Sequence, residues 1–90
     1  MILVDPIREY SRGPRGMRLW CHMATDDLLE AGMDELHELA GRIGLQPQWI
    51  HRNHRLPHYD LTPEARETAL ALGVQEVSTR ELVVRCRKPR

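Results

Sequence analysis

Residues 25–44 read TDDLLEAGMDELHELAGRIG, and the period of their apolar side chains sets the fold class. Met33, Leu36, Leu39, Ala40 and Ile43 recur at steps of three and four, which gathers them on one side of an α-helix. Thr25 or Asp26 can accept from the open N–H groups of a first turn, Gly32 marks a break, and Gly44 is the stop signal. His37 shares its helix side with Met33, Leu36 and Ala40, so it borders the buried stripe, while Glu35 and Glu38 face away. A helix with one apolar side needs a partner layer, and the flanking segments must supply it.

On the N-terminal side, Met1 to Asp5 (MILVD) is an apolar run closed by a carboxylate and Pro6, which reads as a buried strand presenting Asp5 at its end. Leu19 to Ala24 (LWCHMA) reads as a second short strand or an extended entry to the helix, with His22 between Cys21 and Met23. Between them, Pro6 to Arg18 is a loop holding Gly13, Pro14 and Gly16 with Arg8, Arg12, Arg15 and Arg18. It lacks the glycine spacing and the Lys-Ser/Thr pair of a nucleotide phosphate loop. Its arginines suit either a bidentate grip on phosphate or a solvated surface.

On the C-terminal side, Leu45 to His51 reads as a strand carrying Trp49 and Ile50, with Pro47 confined to its beginning. Then comes HRNHRLPHYDL, His51 to Leu61, which holds three of the five histidines in the chain. His51, His54 and His58 have helical spacing, but Pro57 disfavours helical geometry at Leu56, so a loop with converging side chains is expected. Thr62 as cap and Pro63 at the first helical position open a helix that ends at Gly73. Val74 to Val77 reads as a short strand. Ser78 with Glu81 is a capping-box signature for a last helix through about Cys86, although the alternation in LVVRCR also suits an edge strand.

This order predicts a single small α/β domain, with a short, mainly parallel three-stranded sheet, about three helices, and a basic tail over residues 86–90. In such sheets ligands bind at the carboxyl ends of strands, which would bring Asp5, His51 and Ser78 to one edge beside the histidine loop. The chain of 90 residues has room for one domain. Thirteen basic residues balance thirteen acidic ones, so net charge gives no warrant for general nucleic-acid or membrane affinity. The distribution is uneven: six acidic and no basic residues lie between Asp26 and Glu38, while Arg85, Arg87, Lys88 and Arg90 close the chain. Cys21 and Cys86 form no C-x-x-C pair, and the chain shows no signal peptide or long apolar run. Reduced thiols in a cytoplasm are expected.

Several segments together resemble a known family. They are Trp20-Cys21-His22-Met23, Asp34-Glu35-Leu36-His37 running to Arg42-Ile43-Gly44-Leu45, Trp49, His58-Tyr59-Asp60-Leu61-Thr62, and Ala69 to Val77. Together they look like a small group of bacterial and phage proteins catalogued as domain of unknown function 4031. The resemblance covers nearly the whole chain and is most specific at the His37 helix and at His58-Tyr59-Asp60. It implies a short intracellular domain and brings no activity, substrate or cofactor with it.

From these residues a candidate catalytic set is His22, His37, His58, Tyr59 and Asp60. Imidazole and carboxylate donors suit zinc or manganese, so His22, His37, His58 and Asp60 are the candidate metal ligands. Without metal they suit histidine acid/base chemistry. Asp5, Arg12, Arg15, His51, His54 and Arg55 are candidate binding residues for a phosphate-bearing small molecule, a nucleotide or nucleic acid. Hydrolysis of a phosphoester fits these groups. A binding module without turnover, or a buried His37-His58-Tyr59-Asp60 hydrogen-bond network tying the loop to the first helix, fits them as well.

Overall fold

The structure is a computed structural model and describes residues 1–10, 13–52 and 54–89. Its strands are β1 (Ile2–Val4), β2 (Arg8–Glu9), β3 (Leu19–Thr25), β4 (Tyr59–Leu61) and β5 (Gln75–Glu76). Its helices are α1 (Glu30–Arg42), α2 (Pro63–Ala71) and α3 (Thr79–Cys86). The sheet has five strands and is mixed, which corrects the expectation of three mainly parallel ones. Only β1 and β5 run parallel; β1, β2 and β4 are all antiparallel to β3. Strand alternation with helices misled here because the Pro6–Arg18 segment returns the chain beside β1 without a helical crossover, as a meander does.

β3 is the centre of this sheet. β1 pairs with its Met23–Thr25 end and β2 with Leu19 and Trp20, while β4 pairs with Cys21 to Met23. Two further readings need correction. Leu45 to His51 is not a strand: Pro47–Trp49 forms a 3-10 turn, with Trp49 N–H bonded to the Gln46 carbonyl at 3.0 Å. Pro47 has no N–H to give a ladder, so the segment turns. Conversely, the end of the histidine stretch is no loop, since Tyr59–Leu61 is fully buried strand.

Side chains alternate across the sheet and divide the core in two. On one side Ile2, Val4, Cys21, Met23, Tyr59 and Leu61 pack with Leu36, Leu39 and Ala40 of α1 and Ala69 of α2. On the other, Leu3 and Ala24 pack with Leu56, Val77 and with Leu82 and Cys86 of α3. Each fully buried aliphatic residue is worth ~1.5–3 kcal/mol relative to exposure. The helix ends match their sequence signals. The Thr62 hydroxyl accepts from Ala65 N–H and the Ser78 hydroxyl from Glu81 N–H. Gly44 and Gly73 follow α1 and α2 at φ 91° and 95°, where a side chain would be strained. α1 starts at Glu30 rather than at Thr25 or Asp26, because Thr25 closes β3 and its hydroxyl accepts the Asp27 N–H inside a turn. No helix among the described residues is long and apolar enough to cross a membrane.

Candidate functional site

Register builds the site. His22 lies opposite Asp60 in the β3–β4 ladder, so the two side chains share the α3 side of the sheet. Asp5 follows β1 directly, and its N–H continues the ladder to the His22 carbonyl at 3.3 Å. Three chain-distant residues therefore meet because β3 is flanked on both edges at His22. The carboxyl-end rule of parallel sheets, from which Asp5, His51 and Ser78 were expected to converge, is not the cause.

Asp5 is fully buried and fully used. Its Oδ1 accepts the His22 backbone N–H at 2.7 Å, and its Oδ2 accepts the Thr79 hydroxyl at 2.9 Å and the His22 Nδ1–H at 3.0 Å. Burial alone would raise this carboxyl; the His22 ring and backbone bonds, with Thr79, outweigh it and hold Asp5 below the usual range. An ionised Asp5 fixes the His22 proton on Nδ1 and leaves Nε2 a bare lone pair in the neutral ring. A carboxylate behind an imidazole in this way is the arrangement that orients metal-ligating histidines.

His58 is fixed differently, with the same result. Its Nδ1–H donates to the Leu56 carbonyl at 2.6 Å, so in the neutral ring Nε2 carries no proton. Burial pulls the His58 pKa below the ordinary imidazole value, against the Leu56 carbonyl and Asp60, and so favours the neutral ring. That bare Nε2 faces Asp60 Oδ1 at 3.5 Å. Asp60 Oδ1 is itself buried and has no hydrogen-bond partner among the described residues. The other oxygen, Oδ2, accepts the His51 Nε2–H at 2.6 Å. One ligand atom from each of His22, His58 and Asp60 lies within 4.8 Å of the others. Around a tetrahedral zinc-sized ion, donors at ~2.1 Å sit about 3.4 Å apart, so the widest pair would have to close by roughly 1.4 Å, a side-chain adjustment, on binding the ion.

The rings around this trio are in contact. His51 stacks on His58 at 4.6 Å between centroids, and His22 and His54 each meet His58 edge-on at 5.1 Å. His51 is also held through its backbone N–H to the His58 carbonyl at 2.9 Å. The side chains of Asp60 and His58 are 1% and 8% exposed, whereas His22 is 20% and His51 45% exposed, so the cluster opens to solvent past those two rings.

Other candidates fall elsewhere. His37 and Tyr59 share a hydrogen bond of 2.7 Å, but on the α1 side of the sheet, because Tyr59 and Asp60 are successive strand residues. The expected meeting of His37 with His22, His58 and Asp60 is therefore corrected by the pleat. Burial raises the Tyr59 hydroxyl pKa, with Arg52 opposing. His54 Nδ1 accepts the Leu56 N–H at 3.0 Å and shapes the loop. Arg15 Nη2 donates to the Asp60 carbonyl at 3.2 Å, and its guanidinium lies 4.0 Å over the Trp49 ring. Arg55 Nε donates to the Lys88 carbonyl at 3.4 Å. Arg12 lies outside the described residues. Thr79 and Arg66, whose Nε donates to the Asp5 carbonyl at 2.9 Å, were missed from the sequence. Thr79 had one signal, its place beside the Ser78 cap near the expected edge; Arg66 had none.

The chain belongs to the family described as a protein of unknown function (DUF4031), whose model matches residues 2–89. No curated protein and no solved structure matches it.

Proposed function

We propose that this member of the family carries a metal-assisted hydrolytic site for a phosphoester or nucleotide-like ligand, with His22, His58 and Asp60 as the ligands of one divalent cation. One observation carries the reading: the bare Nε2 of His58 and the Oδ1 of Asp60, which has no hydrogen-bond partner among the described residues, face each other at 3.5 Å in a buried setting. Two electron pairs left opposed in this way are destabilising, and a cation between them removes the cost. Two imidazoles and a carboxylate suit zinc or manganese and leave positions open for water and substrate. A bound cation supplies Lewis acidity and brings the pKa of a coordinated water toward ~7.

The remaining residues have assignable tasks. Asp5 and Thr79 orient His22, and His51 orients the Asp60 carboxylate through Oδ2. His51, partly exposed beside the cluster, is placed to exchange protons with the reacting groups. Arg15 brings a positive charge to the Asp60 strand, as an anionic ligand requires. For His37 and Tyr59 the 2.7 Å bond between helix and sheet favours the structural-network reading. A reducing, cytoplasmic setting accords with the unpaired Cys21 and Cys86.

Calorimetry and thermal unfolding of metal-free protein with added ZnCl2 or MnCl2 test this. At a metal concentration 100 times Kd, binding adds ~2.7 kcal/mol of stability. A rise in Tm of roughly 10 °C or more is expected for a domain of this size. His58→Ala should stay folded and lose the rise, and the metal-loaded wild type should cleave a chromogenic phosphodiester that EDTA protects. If neither metal binds nor shifts Tm, the reading fails.

A further inference from the structure

A second feature adjoins the site. The loop that carries His54 and His58 is joined to the C-terminal end of the chain by backbone contacts. Lys88 N–H bonds the Arg55 carbonyl at 2.8 Å, Arg55 Nε the Lys88 carbonyl at 3.4 Å, and Lys88 Nζ the Arg52 carbonyl at 3.3 Å. A cleft forms at this seam, lined by Arg55, Arg87 and Lys88 with Val84 and Pro89. Among the described residues, none of its three cations pairs with a carboxylate, whereas Arg18, Arg66 and Arg85 all do. Three like charges held around one concavity repel each other, and an anionic ligand relieves that repulsion. α1, which carries a run of acidic residues, packs through Leu36, Leu39 and Ala40 on the opposite side of the sheet, so those carboxylates do not supply it.

Beside His22 lies an aromatic pair, both rings half-buried. Tyr10 stacks on Trp20 at 4.1 Å between centroids, and Trp20 meets His22 edge-on at 5.1 Å. The His54–His58 loop thus connects the basic cleft to the histidine cluster, and His22 connects that cluster to the aromatic pair. Neither this cleft nor the one beside α1 that is lined by Glu35, Glu38 and Arg42 encloses His22, His58 or Asp60. A mononucleotide offers one base and one phosphate group, too few for all three features. A single strand, with its repeating phosphates and unpaired bases, has groups for all of them.

We infer that the ligand of this surface is single-stranded nucleic acid. A backbone phosphate sits in the Arg55–Arg87–Lys88 cleft, a phosphodiester lies at the His22–His58–Asp60 cluster, and a base packs against Tyr10 and Trp20. The cleavage step rests on the hydrolytic reading above, while strand binding does not. In that step a water oxygen bonds to phosphorus and the P–O bond to one sugar oxygen breaks. One water proton passes to that oxygen and the other leaves with the new phosphomonoester.

Fluorescence anisotropy with a labelled 12-nucleotide single strand, in EDTA so that nothing is cut, tests binding by itself. Affinity should fall log-linearly with salt, by about 0.7 in slope per phosphate contacted. Arg87→Ala, at an exposed position whose N–H alone serves the helix end, should weaken binding several-fold and flatten the slope by about 0.7, with Arg87→Lys restoring most of both. Tyr10→Ala should cost about fivefold or more. Binding insensitive to salt and to Arg87→Ala overturns the inference, as does a mononucleotide or a duplex that competes as well as the strand. MnCl2 calorimetry on the same protein separates the two readings. Metal binding without strand binding removes only this inference, and strand binding without metal binding removes only the hydrolytic one.

Discussion

Asp60 is the residue under most tension. One carboxylate oxygen is satisfied by His51 and the other faces a lone pair. An asparagine there can keep its oxygen on the His51 N–H and turn its NH2 toward His58 Nε2, converting an opposition into a hydrogen bond. Asp60→Asn should therefore raise the stability of the metal-free protein by ~1 kcal/mol, or about 4–8 °C in Tm, while abolishing any rise on adding zinc or manganese. Asp60→Ala should lose both the metal response and stability. Were Asp60→Asn to melt as low as Asp60→Ala, His58 would have to be a cation paired with Asp60, and the case for a metal would go with it. Residue type and the family resemblance together point to His22, His58 and Asp60, along with His37 and Tyr59, while the burial of Asp60 in a strand is not legible from a segment that reads as loop. Thr79 and Arg66 were not recognisable as partners of Asp5, because those contacts span 74 and 61 residues and no local pattern encodes them.

Among the elements, the helices were legible because their signals are local: period, cap and stop lie within a few residues. The sheet was legible only in pieces. MILVD reads as a strand by composition, but the direction of its neighbour depends on where the Pro6–Arg18 segment returns, which no spacing declares. Tyr59–Leu61 is three residues long, too short to show alternation, and reads as loop from its sequence. His37 belongs to the candidate set by family resemblance and by a helix periodicity that says which side it borders and cannot say which face of the sheet that side covers. The cap of α3 links element to site, since Thr79, the residue after Ser78, is the one that bonds Asp5. Ser78→Ala should cost ~1 kcal/mol of stability and should also weaken zinc or manganese binding measurably in calorimetry, by loosening the Asp5–His22 pair. Gly32→Ala is the control. Its new Cβ would meet the Asp27 carbonyl oxygen at 2.0 Å at the start of α1, which packs on the sheet face opposite the site, and this should cost ~1–3 kcal/mol with metal affinity unchanged. Equal metal affinity in both variants would mean that α3 does not support the site.

For the whole molecule the question is whether the two halves of the core open together. The sheet serves both, with Ile2 and Val4 turned toward α1 and α2 and Leu3 toward α3. The two thiols report on the halves separately: Cys21 lies in the first cluster and Cys86 in the second, both fully buried and unpaired. Burial pushes Cys21 up to about 12 and Cys86 up to about 11. Neither is a thiolate in the folded state at pH 8, so alkylation must wait for an opening that restores an ordinary thiol. The α3 cluster is the smaller, and α3 and the residues after it are joined to the rest through Leu82, Cys86, the Thr79–Asp5 bond, the Arg85–Asp26 pair and the Lys88–Arg55 backbone bond. Elements with fewer buried contacts open at lower free energy than the global transition. Peptide-resolved mass spectrometry of native protein in dilute iodoacetamide should therefore find Cys86 modified at least about tenfold faster than Cys21, a difference of ~1.4 kcal/mol in opening free energy. Identical rates would show instead that the sheet couples both faces into one cooperative unit. In that case the site, which draws Asp5, His22 and Thr79 from both edges of the α3 side, would be lost only when the whole domain unfolds.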